Sequence, residues 1–134
     1  MLLTALLGFT LPYPAAWVGS WEGPAVLNGH HKGRVRLEFG NDGTLVLSEI
    51  ERDLHGRLYR TAYKGKVRQT GRALSFHFQG VLTDADDAEK AALAGESGTW
   101  SLRALRLSKG VLSVRADLDG SGEGHRFALR RRKG

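Results

Sequence analysis

The chain reads as a closed antiparallel β-barrel of about eight strands. Three observations predict it. Segments with an apolar residue at every second position recur along most of the length, short turn sequences separate them, and no helix stands regularly between strands as a parallel sheet requires. With 134 residues there is room for one core and not for two. A two-sheet sandwich is the runner-up, but its long crossovers find no counterpart in the uniformly short turns.

The elements follow in order. Residues 1–16 form an apolar segment, expected to be either a short helix over one barrel mouth or a removable leader. The run is too short to cross a bilayer, no Lys or Arg precedes it, and Tyr13 or Pro14 takes the small-residue place of a cleavage site. The sequence therefore leaves cytoplasmic and exported locations both open. The barrel is expected over residues 17–134, with its first strand opening at Trp21.

In Lys32 to Gly40, Val35, Leu37 and Phe39 face one way while Arg34, Arg36 and Glu38 face the other. Gly40-Asn41-Asp42-Gly43 turns the chain into Thr44 to Glu51, completing a hairpin. Tyr59, Thr61 and Tyr63 share a face in Arg57 to Gln69, with a bulge expected at Gly65. Ala73 to Gly80 sets Leu74, Phe76 and Phe78 against Ser75, His77 and Gln79. Residues 84–94 break the pattern, being Ala-rich with acids in the first turn, and predict one short inserted helix. Gly98 to Ser108, Val111 to Leu118 and Gly124 to Arg132 are the remaining strands. The alternation does not fix which faces of 44–69 and 98–108 line the lumen.

Composition excludes several functions. The absence of Cys removes disulfides, thiolate zinc sites and cysteine catalysis. The net charge of +6 suggests an anionic partner, but Arg130, Arg131, Arg132 and Lys133 supply much of it and the rest is spread over solvent faces. Nucleic acid is disfavoured because basic and aromatic residues do not interleave as a stacking platform. A solvated basic surface, with weak contact to anionic membranes, fits better. Asp84, Asp86, Asp87 and Glu89 cluster where a helix dipole accounts for them, and no nucleophile elbow or phosphate loop occurs. No catalytic residue is assigned, and a non-enzymatic monomer is the default. His30 and His31 read as a loop pair, His55 as a turn residue and His77 as an outer-face residue.

Two stretches point to a family. Gly19-Ser20-Trp21-Glu22-Gly23 opens the strand region and Arg130 and Arg131 close it. This resembles the calycin group (lipocalins, fatty-acid-binding proteins, avidins), whose chains open with Gly-x-Trp and end with a basic residue on the last strand. The resemblance implies that Trp21 plugs one barrel end beneath Arg130 or Arg131, and that the lumen holds a small apolar or amphipathic ligand. Tyr59, Tyr63, Phe76, Phe78 and Trp100 are then the candidate ligand-binding residues, reached from the end away from Trp21. An amphipathic acid would pair with Arg126 or Arg57. His125-Arg126-Phe127-Ala128-Leu129-Arg130 also resembles the final strand of nitrobindin-like haem barrels, which implies His125 as an iron ligand and haem as the alternative to no cofactor. Pro24-Ala25-Val26-Leu27 departs from that family's continuation. A filled barrel with a structural or partner-binding role is the remaining reading.

Overall fold

A computed structural model describes residues 11–27, 31–52, 55–83, 97–117 and 125–132. Eight strands run in succession: β1 (Gly19–Leu27), β2 (His31–Phe39), β3 (Thr44–Arg52), β4 (Leu58–Thr70), β5 (Ala73–Thr83), β6 (Ser97–Ser108), β7 (Val111–Asp117) and β8 (His125–Arg131). Each pairs antiparallel with the next, and β8 returns to β1 to close the barrel. The predicted helix at 84–94 lies outside the described residues, as do residues 1–10. The described part of the N-terminal segment carries a single 3-10 turn, Ala15–Trp17.

Alternation decides the core. Val35, Leu37, Phe39, Leu74, Phe76, Phe78, Leu112, Val114, Phe127 and Leu129 are each at most 4% exposed. Leu45, Leu47 and Leu102 join them from the strands whose inward faces the pattern left open. The register of β4 on β5 shifts between Tyr63 and Gly65, where a side chain on residue 65 would collide with the backbone of His77 and Phe78. A second shift separates Arg103 from Arg106 in β6.

The end of the barrel at Trp21 is closed by local polar bonds around large rings. The Trp21 side chain is 2% exposed, and its indole N–H donates to the Trp17 carbonyl at 2.9 Å. The Arg131 guanidinium lies 4.3 Å from the indole centroid and donates to the carbonyls of Val18 (2.9 Å) and Ala16 (2.6 Å). Gly19 is obligatory beneath it: its φ is +129°, and any β-carbon would occupy the space of the Arg131 head. Tyr13 packs edge-on against Phe39 with centroids 4.9 Å apart, while its hydroxyl donates to the Gly40 carbonyl and lies 3.1 Å from that of Thr44. The β2–β3 turn is fixed by Asp42, whose carboxylate accepts from the Thr44 N–H at 3.1 Å and from its hydroxyl at 2.6 Å.

The seam between β1 and β8 is short. Trp21 pairs with Arg131 and Glu22 with Arg130, and the Arg132 N–H donates to the Ser20 carbonyl at 2.8 Å. That last bond shows that the backbone of the even-numbered residues of β1 faces β8. Pro24 is next in that series and has no N–H to give, which ends the ladder on the side away from Trp21.

On the outer face Glu22 collects three arginines: Arg34 Nε at 2.8 Å, Arg36 Nε at 2.9 Å and Arg132 Nε at 3.5 Å. Partial burial works against ionisation of Glu22, yet the hydrogen bonds and charges of Arg34 and Arg36 outweigh it and hold the carboxyl below the usual carboxylate range. A folded-state pKa below the unfolded one stabilises at pH above the unfolded value, and that contribution is lost as pH falls through the folded value. Glu22→Gln should therefore destabilise by about 1 to 2 kcal/mol at neutral pH, with the gap to wild type narrowing below about pH 4 in denaturant titrations. Trp21→Ala should cost about 3 to 5 kcal/mol in the same assay.

Candidate functional site

Because strand residues alternate, the inward faces can be followed from one end of the barrel to the other. Around Trp21 they are wholly apolar: Leu37, Phe39, Leu45, Leu47, Leu112 and Leu129. Beyond Leu47 the inward series of β3 continues through Glu49 and Glu51. Across the register Glu51 faces Tyr59, Glu49 faces Thr61, and Thr61 faces Thr83. The half of the barrel away from Trp21 is thus lined on β3, β4 and β5 by carboxylates and hydroxyls.

These groups bond to one another. The Tyr59 hydroxyl donates to Glu51 Oε2 at 2.9 Å, and the Thr61 and Thr83 hydroxyls meet at 3.2 Å. Glu51 and Thr61 are each 8% exposed, an enclosure that a carboxylate tolerates only with hydrogen-bond partners.

An aromatic wall adjoins the polar patch. Tyr63 sits 4.5 Å from Trp100 and 5.2 Å from Phe78 between ring centroids, both edge-on. Phe78 lies 4.6 Å from Trp100, and Phe76 lies 5.9 Å from each of Phe78 and Trp100. Trp100 stands opposite Phe76 in the β5–β6 register, which places both rings on one face. Phe76 is fully buried and belongs to the core, whereas Tyr63 and Trp100 are only partly covered.

The structure brings Tyr63, Phe76, Phe78 and Trp100 into one cluster, with Tyr59 two residues further along β4. Of the two terminal arginines, Arg131 covers Trp21, while Arg130 is exposed and pairs with Glu22 in the register. Arg126 alternates with buried Phe127 and stands exposed on the outside, so it does not meet a head group in the lumen; Arg57 is exposed in the turn before β4. His77 is exposed, with its Nδ1 2.9 Å from the Thr99 hydroxyl, and His55 is exposed in a turn. His125 opens β8 opposite Ala116, and its side chain lies outside the described residues, as does that of His31. His30 lies outside them entirely. Among the described residues no three His, Asp or Glu side chains gather as a metal site.

Glu49 and Glu51 are the site residues that sequence reasoning missed. The signal was present, since Leu45 and Leu47 set a period that runs on to both. Comparison with protein-family models, curated proteins and solved structures finds no match. Tyr59→Phe leaves Glu51 short of a buried donor and should cost about 1 to 3 kcal/mol in chemical denaturation, more than a change at an exposed tyrosine would.

Proposed function

We propose that this is a non-enzymatic, calycin-like barrel that binds one small amphipathic ligand in the half of its lumen away from Trp21. The observation that supports it is the division of the interior: apolar side chains fill one half, and the other sets partly covered Tyr63 and Trp100 beside inward Glu49, Glu51, Tyr59 and Thr61. An apolar body would lie against Phe78, Trp100 and Tyr63, and a polar head would reach the carboxylates. Among the described residues the charged groups of that patch are the carboxylates Glu49 and Glu51, so the head we propose is one that donates hydrogen bonds, an amine or an alcohol, in place of the carboxylate that rim arginines would suit.

Close ring contacts among Tyr63, Phe76, Phe78 and Trp100 favour a second reading, a filled barrel with a structural role. The haem reading rests on His125 alone. Native mass spectrometry of protein purified from its source separates the three: a retained amphiphile supports ligand binding, a retained porphyrin supports haem, and a bare chain supports the filled barrel. In titrations followed by tryptophan fluorescence, dodecylamine should bind more tightly than dodecanoate, and Glu51→Gln should weaken the amine about tenfold. Equal affinity for both amphiphiles, or an unchanged Glu51→Gln variant, would remove the carboxylates from the site.

A further inference from the structure

The outer face of β6, β7 and β8 carries a second feature that the lumen does not explain. The register sets Arg103 opposite Arg115 and Arg115 opposite Arg126, a row of three guanidinium side chains across three adjacent strands. Arg103 and Arg126 are exposed and Arg115 is half-buried between them. Neighbouring strands lie about 5 Å apart, so the three stems stand within about 10 Å. Like charges directly opposite one another destabilise a sheet. Elsewhere in the same barrel that cost is met by an acid, since Glu22 bridges Arg34 and Arg36. Among the described residues no acid bridges Arg103, Arg115 or Arg126; the side chain of Asp117, further along β7, lies outside them. The Nε–H of Arg115 is buried without a hydrogen-bond partner, a donor that the fold itself leaves unused.

Beside the row, Ser113 and Ala128 are small and exposed, and with Arg115 and Arg126 they line a shallow depression. We propose that this face binds a compact multivalent phosphate anion, with Arg103, Arg115 and Arg126 as its ligands. Planar guanidinium groups present paired donors that match phosphate oxygens, and three of them so close together suit one small polyanion better than an extended chain. Among the described residues the aromatic rings that would stack nucleic-acid bases point inward or pack over the Trp21 end, and the large hydrophobic residue exposed, Leu58, is at the start of β4 and not beside the row. Phosphate chemistry alone is therefore read here, whether the group is free in solution or carried on a lipid head.

Titration calorimetry with inorganic tripolyphosphate at low ionic strength tests the site. Wild type should bind, and Arg115→Gln and Arg126→Gln should each weaken binding about tenfold. Lys66→Gln removes the same charge from the outer face of β4 and should leave affinity within about twofold. Tripolyphosphate should also raise the melting temperature of wild type and not that of Arg115→Gln. That variant should melt no lower than wild type, since it relieves opposed charges. If it does melt lower, Arg126→Gln carries the same comparison. Sedimentation with phosphatidylcholine vesicles containing a phosphoinositide distinguishes the sources. Vesicle binding that tripolyphosphate displaces assigns the phosphate to a lipid head, and tripolyphosphate binding without vesicle binding assigns a soluble anion. No binding of either probe overturns the proposal. So does an equal loss in Lys66→Gln, or a preference for duplex DNA weakened alike by all three substitutions, because each would mean that net charge and not this row attracts the anion.

Discussion

The clamp of Arg131 over Trp21 is the contact on which the closed barrel depends. Seven of the eight strand pairings join neighbours in sequence, and each could form in an open, curling sheet. Only the pairing of β1 with β8 makes a cylinder, and it joins segments separated by most of the chain. Its ladder is short, so backbone bonding alone is a slender closure. Arg131 adds to it from three directions, lying on the indole and donating to two carbonyls of the segment before β1. One side chain thus ties the last strand to the first and to the residues leading into it. Gly19 is the vacancy in which its head sits.

Closing one end so firmly determines what the other can be. Rings and branched side chains converge around Trp21, where Trp17, Tyr13 and Phe39 complete the seal. Polar side chains would be stranded there, and among the described inward positions they gather in the opposite half. Glu51 and Thr61 are satisfied there by Tyr59 and Thr83. The gradient from apolar to polar along the axis follows from this packing, because a carboxylate is costly among close-packed apolar rings and is held at modest cost where a hydroxyl donates to it.

Much of this architecture was legible in the residues. Where alternation was clean, as in Val35-x-Leu37-x-Phe39 and Leu74-x-Phe76-x-Phe78, the inward face followed directly. It failed to be decisive where a strand put charge inside. Glu49 and Glu51 resemble solvent-face residues to any reading that sorts by polarity, and only the phase set by Leu45 and Leu47 places them inward. Bulges hid the rest: an extra residue between Phe78 and Val81 in β5, opposite Tyr63 and Gly65, and another between Arg103 and Arg106 in β6 each reset the phase, so one rule could not be carried along the whole strand. No shift interrupts β8, so the alternation with inward Phe127 and Leu129 already puts Arg126 on the outside, and an assignment to the rim neglects the pleat. The row of Arg126 with Arg103 and Arg115 arises from the register among three consecutive strands, which the alternation within any one strand does not contain.

Pro24 gives the cylinder a direction. Toward Trp21 the seam is bonded, covered and clamped, whereas past Pro24 the edges of β1 and β8 lie side by side without a ladder. Parting them there breaks no β1–β8 backbone pair, while parting them at Trp21 would break the pairs and the clamp together. The wall is therefore built like a jacket fastened at the collar.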